Sequence, residues 1–281
     1  MNTVAIILAA GMGTRLRPET ERVPKCLVNV KDKPILEYQL EMLEAAGVNK
    51  VYIVGGYLVE ELRDYILNSR FSYFSELVVN DEYNTSNNMY SLKIAFEKIW
   101  DKPWDIVHVL NGDVVYERDF LKRNQNSVID SGVFVDRTMY IDESMKITVG
   151  ADGFISDISK KINEDSHYAV SVDMYRFRRY DAEIFYGRIK EIISSGLVNQ
   201  WTEVALSELF KEGELKLLPI DISGSIWWEI DNHEDRIRTL FRLKLLHSLQ
   251  EIANCKLFAF DLDGTVNLGN KPIKGAVTFL K

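Results

Sequence analysis

The sequence has little cysteine, no long apolar run and no surplus of positive charge. Cys26 and Cys255 are the only cysteines among 281 residues, so no disulfide framework is expected, and the chain reads as cytoplasmic, from a reducing compartment. The opening apolar run stops at Gly11 and follows no basic segment. It is short for the core of a signal peptide, and no stretch approaches the ~18 apolar residues of a membrane span. With 34 basic against 42 acidic residues the net charge is −8, which removes the usual electrostatic attraction to nucleic acid or anionic lipid. Neither a nucleic acid nor a membrane is an expected partner. What is present, 46% hydrophobic and 27% charged residues, is the balance of a folded globular chain, long enough for one large domain or a domain plus a fragment.

Thr3 to Leu8 is a continuous apolar run ended by glycine, as expected of a strand buried on both faces of a parallel sheet. A helix is expected from Pro34 to Gly47, with Ile35, Leu36, Leu40 and Leu43 on one face. Strands at 51–54, 77–79 and 106–110 then alternate with helices at 60–67 and 89–99, which predicts a doubly wound α/β domain with a mixed, mostly parallel sheet in three α/β/α layers. From Gly132 the rhythm changes to short strand-like pieces at 133–135, 147–149 and 154–155, with Asp152-Gly153 marking a hairpin. This is read as a small β-rich insertion that binds a second substrate. A strand at 168–177, helices at 181–194 and 201–210, a strand at 226–230 and a helix from His233 to Ile252 complete a first domain, residues 1–255.

The loop Leu8-Ala9-Ala10-Gly11-Met12-Gly13-Thr14-Arg15 leaves the first strand. Small residues there let backbone N–H groups approach a phosphate closely. Leu16 stands where a dinucleotide fingerprint has its third glycine, and the loop lacks the Gly-Lys-Ser/Thr of nucleotide hydrolases. A tight turn is the alternative. Beyond it the spacing L-x-x-G-x-G-x-R-x8-P-K sets Arg15 and Lys25 around the glycines, two cations suited to a triphosphate. This pattern resembles the nucleotidyltransferases that activate sugar phosphates and alcohol phosphates. The resemblance implies that Arg15 holds the β- and γ-phosphates and Lys25 the α-phosphate, with Leu8, Ala10, Gly11 and Gly13 against the nucleotide.

Asn111-Gly112-Asp113 ends an apolar strand, where ligands of open α/β sheets collect. Glu229-Ile230-Asp231 ends the aromatic run Ile226-Trp227-Trp228, and alternation puts both acids on one face. Carboxylates from distant segments suit Mg²⁺, although a helix cap also accounts for Asp231. The resemblance implies Asp113 and Asp231 as the metal ligands. It requires no covalent enzyme intermediate, since the acceptor phosphate is the nucleophile.

Asn80 to Leu92 is rich in amides, able to read a pyrimidine edge, while a loop with a helix cap explains one or two of them. With the late W-E-I-D, this Y-x-x-x-N-N-x-Y-S-L run is similar to bacterial phosphocholine cytidylyltransferases over about residues 1–245. The likeness implies CTP as donor and a CDP-alcohol as product for surface polysaccharide or lipid decoration, with Asn88 and Ser91 in the nucleotide pocket. For the acceptor, Trp201, Trp227 or Trp228 with Glu203 and Glu229 are candidates for a cage, core packing being the alternative for the tryptophans. Met145-Lys146 departs from the aromatic residue expected before the hairpin, and Lys146 suits a quaternary ammonium badly. The expected acceptor is therefore a small alcohol phosphate or phosphonate, including phosphocholine, polyol phosphates and aminoethylphosphonate.

Lys256 to Lys281 opens a second unit, whose strand and D-x-D-G-T run resemble the first motif of haloacid dehalogenase phosphatases. The likeness implies Asp261 as nucleophile and Asp263 as acid/base, with no phosphatase activity expected from so short a piece. Two other readings stay open: a sugar-1-phosphate nucleotidyltransferase using UTP, GTP or dTTP, and a regulatory nucleotide-binding module without turnover. The oligomeric state is also open.

Overall fold

The computed structural model describes residues 1–124 and 130–240, together with the backbone of two short strands further on. In chain order the elements are β1 (Thr3–Ala9), β2 (Asn29–Val30), β3 (Lys33–Pro34), α1 (Ile35–Ala45), β4 (Lys50–Gly55), α2 (Val59–Asn68), β5 (Ser75–Val79), α3 (Asn88–Ile99), β6 (Ile106–Asn111), β7 (Val114–Tyr116) and α4 (Phe120–Asn124). Then come β8 (Gly132–Asp136), β9 (Lys146–Val149), β10 (Ile155–Ser159), β11 (Ala169–Arg178), α5 (Arg179–Ser194), α6 (Thr202–Glu212), β12 (Leu218–Asp221) and β13 (Trp227–Glu229). Residues 233–240 are helical.

The main sheet has the order β10-β9-β11-β6-β1-β4-β5, with β8 joining β11 and β12 joining β8. β1 lies parallel to both β4 and β6, and β4 is parallel to β5. β11 runs antiparallel to β6, so the sheet is mixed and its half from β6 to β5 is parallel, as the buried apolar runs predict. The expected β-rich insertion adds its strands to the edge of this same sheet. Its hairpin closes between β9 and β10, with Gly150 N–H donating to Phe154 O at 2.9 Å.

Period-two alternation in β1 builds the layers. Val4, Ile6 and Leu8 pack with Met89, Leu92 and Phe96 of α3, Phe185 of α5 and Leu206 of α6. Ala5, Ile7 and Ala9 face the other way, toward Leu36 and Leu40 of α1, Leu62 of α2 and Phe120 of α4. A one-residue slip of β1 would exchange these faces, and both are fully buried, so the register is fixed from two sides.

The chain divides into two compact units, Met1–Thr239 and Leu240–Lys281. In the second, β14 (Asn267–Leu268) pairs antiparallel with β15 (Lys271–Pro272). The expected boundary at residue 255 and the D-x-D-G-T run with Asp261 and Asp263 lie outside the described residues. Among those described, no helix is long and apolar enough to cross a membrane.

Candidate active site

The carboxyl ends of β1, β5 and β6 open into a cavity of about 330 Å³. Two close backbone approaches shape its glycine side. Gly112 N–H donates to Leu8 O at 2.8 Å, and a Cβ on Gly112 would lie 2.9 Å from both that oxygen and Ala9 Cβ. Glycine is therefore what lets the exit of β6 lie against β1. Gly13 takes a left-handed φ of 59°, and a Cβ there would stand 2.8 Å from Lys25 Cβ. Leu8, Ala10 and Gly11 line the cavity. Gly13 stands behind Lys25, where its part is to let the loop pass.

Lys25 enters from a single 3-10 turn, Lys25–Leu27, that follows Pro24. Its ammonium donates to Asp113 Oδ2 at 2.7 Å and to Asp231 Oδ1 at 2.8 Å. Burial alone would lower its pKa, but the charges of Asp113 and Asp231 outweigh burial and hold it above the ordinary lysine value. Arg15, 59% exposed, reaches Asp231 Oδ1 at 2.9 Å.

These acids meet because β7 pairs antiparallel with β13, setting Val114 opposite Glu229. Ile230 N–H donates to Asp113 O at 2.9 Å and ties the two segments together. Behind the turn, buried Gln39 of α1 donates Nε2 to both Asn111 O and Val114 O, at 2.7 and 2.9 Å. One oxygen each of Asp113, Glu229 and Asp231 lies within 4.8 Å of the others. Asp113 Oδ1 is buried with no hydrogen-bond partner, so a hard, oxygen-only donor set with an unclaimed lone pair fits a divalent cation such as Mg²⁺. Burial, then the charges of Asp173, Asp113 and Asp231, push the Glu229 carboxyl far up. At Asp231 burial is outweighed by Lys25 and then Arg15, and its carboxyl is held low.

On the opposite wall, Asn80, Tyr83, Asn87, Asn88 and Ser91 line the cavity. Asn87 caps α3, its side chain accepting from Asn88 N–H at 2.9 Å. Asn88 Oδ1 accepts from Thr202 N–H at 2.9 Å and so also caps α6. Ser91 is joined to the buried Asn80 amide at 3.0 Å.

Ser144, Met145, Lys160, Asp173, Trp201, Glu203 and Glu229 also line the cavity. Trp227 instead donates Nε1 to Asp136 Oδ2 at 3.0 Å, and Trp228 is not among the lining residues. The three tryptophans are therefore not gathered into a cage. Lys146 does not line the cavity either, and its Nζ donates to Asp142 O at 2.5 Å.

Asp173 and Lys160 were not singled out from the sequence. β11 slips register between Ser171 and Tyr175, and Asp173 within the slip has a φ of 55°. That conformation costs a non-glycine residue about 1–2 kcal/mol, and the strand adopts it beside the cavity. Burial, followed by the charges of Glu203 and Asp113, raises the Asp173 carboxyl well above its ordinary value. In the run Val170 to Phe177 the sequence mixes Ser171, Asp173 and Arg176 with apolar residues, so Asp173 carries no distinct mark.

The choline-phosphate cytidylyltransferase of Streptococcus pneumoniae is 50% identical to this chain over 95 residues, which are 34% of this chain and 40% of that protein. The CTP:phosphoglutamine cytidylyltransferase of Campylobacter jejuni is 28% identical over 253 residues, covering 82% of this chain and 96% of the relative. A solved structure of the CTP:phosphocholine cytidylyltransferase from Streptococcus pneumoniae aligns with a TM-score of 0.73 at 30% identity, over 86% of this chain and 100% of that one. The family model described as nucleotidyl transferase matches residues 4–174, more than half of the sequence, and this chain therefore belongs to the nucleotidyl transferase family.

Proposed function

We propose that the protein transfers CMP from CTP to a small alcohol phosphate or phosphonate, releasing pyrophosphate, with Mg²⁺ held by Asp113 and Asp231 beside Glu229. The observation that carries this reading is the seating of Lys25 between Asp113 and Asp231 where the glycine loop meets the cavity. An oxygen of the acceptor phosphate attacks the α-phosphorus, a new P–O bond forms, and the bond to the β-phosphate oxygen breaks. The nucleophile arrives ionised, so no side chain has to remove a proton. The metal, when bound, offsets the repulsion between the two phosphates.

Lys25 is already oriented by two carboxylates, so its positive charge is in place where negative charge gathers on the α-phosphate. In this reading Arg15, more exposed, follows the outer phosphates. The Gly11 loop offers N–H groups, and the Asn80, Asn88 and Ser91 wall offers donors and acceptors for a cytosine edge. The names of the relatives support CTP as donor, and a cytoplasmic setting belongs to the same reading. Pyrophosphate release with Mg²⁺ from CTP, UTP, GTP and dTTP tests it: turnover with CTP and an alcohol phosphate or phosphonate is expected. Preference for UTP or dTTP with a sugar 1-phosphate would replace it.

A further inference from the structure

Beyond the carboxylates that suit a metal, the cavity ends on two acids that the phosphoryl chemistry does not use. Glu203 is 3% exposed. One of its oxygens accepts from the Tyr175 hydroxyl at 2.5 Å, and the other is buried with no hydrogen-bond partner. Asp173 is 9% exposed, hydrogen-bonded to the Asn111 side chain, and held at the slip in β11 by a left-handed backbone. Lys160 offsets the charge of Asp173 only in part. Its ammonium lies at the mouth, 5.0 Å from the Trp201 ring centroid.

We propose that Asp173 and Glu203 bind the organic end of the acceptor, and that this end is a protonated amine carrying N–H donors, as in an aminoalkyl phosphate or aminoalkylphosphonate. The proposal rests on the transfer reading above and narrows its acceptor. An –NH₃⁺ group supplies three donors and one positive charge, which serve both the unpartnered Glu203 oxygen and the Asp173 carboxyl. A quaternary ammonium has no N–H to give and relies on aromatic faces. The cavity offers Tyr83 and Trp201, and the Trp201 ring already has the Lys160 ammonium over it. A neutral polyol donates hydrogen bonds but brings no positive charge to the two buried acids.

The test is pyrophosphate release from CTP with phosphoethanolamine, 2-aminoethylphosphonate, phosphocholine and glycerol 3-phosphate, on the full chain and on Asp173→Asn and Glu203→Gln. Both substitutions keep shape: asparagine tolerates left-handed backbone, and an amide oxygen still accepts from Tyr175. The expected result is the highest kcat/KM for the two amines, falling about 10- to 100-fold in either variant through the acceptor KM. The KM for CTP should move by less than about twofold. Preference for phosphocholine or glycerol 3-phosphate, or amines indifferent to both substitutions, overturns the amine subsite and leaves CMP transfer standing. Silence with CTP and every acceptor counts against CMP transfer instead. Calorimetric titration of phosphoethanolamine then reads the subsite directly: binding lost in both variants upholds it, and equal or absent heat in all three proteins overturns it.

Discussion

Lys25 joins two carboxylates from distant segments of the chain, and its neighbours explain both its charge and its position. Lys25→Met is expected to lower kcat about 10²- to 10³-fold, the usual loss when one preorganised positive group is removed from a developing anion. Steady-state pyrophosphate release with unchanged far-UV circular dichroism checks it. Asp173 makes the opposite kind of prediction. Its folded pKa lies well above the unfolded value, so below about pH 4 both states are protonated and nothing is lost. As pH rises from there toward the folded pKa, the unfolded state releases the proton first and stability falls. In metal-free protein, Asp173→Asn should therefore raise stability at pH 8, by about 1–3 kcal/mol, and the gain should shrink toward pH 4. Urea unfolding at the two pH values measures this, and an equal difference at both would contradict it. Arg15, Lys25, Asp113 and Asp231 were legible because their spacing follows glycine turns and strand ends. Asp173 was not, since a register slip inside a strand leaves no periodic mark in the sequence.

At the level of elements, the site depends on β7 and β13 pairing and on α1 bracing the turn between β6 and β7. Gln39→Leu keeps the volume of that contact but strips donors from Asn111 O and Val114 O. The expected cost is about 1–3 kcal/mol of stability, together with a fall in kcat larger than any rise in the KM for CTP, because the Asp113 turn loses its support. A drop in stability with kcat unchanged would show that the brace serves the core alone. Strands buried on both faces, such as β1 and β6, were readable as continuous apolar runs. β7 was hidden, since three residues immediately after the Asp113 turn look like the tail of the preceding strand. β12 was hidden by Pro219, which argues against a strand interior. The structure tolerates it because β12 pairs with β8 alone, at an edge of the sheet. The amide-rich segment contained both readings: Asn87 is a helix cap and also lines the cavity.

Across the whole molecule, a doubly wound sheet brings residues 8–25, 80–91, 111–113, 173, 203 and 229–231 to one cavity. The alternation of strands and helices predicts this assembly, while the choice of wall for each side chain depends on pairings that the sequence does not display. Ligands that bind there should stabilise the folded Met1–Thr239 unit. CTP with Mg²⁺ at about 100 times its Kd should add about 2.7 kcal/mol, read as a rise in Tm. Asp113→Asn should abolish the Mg²⁺-dependent part of that rise, and a shift indifferent to Mg²⁺ would remove the metal from the account. The most direct measurement is pyrophosphate release with Mg²⁺ from CTP, UTP, GTP and dTTP against alcohol phosphates, phosphonates and sugar 1-phosphates. The expected result is turnover with CTP alone, on an alcohol phosphate or a phosphonate. Turnover of UTP or dTTP with a sugar 1-phosphate, or binding of CTP without any release of pyrophosphate, would contradict it.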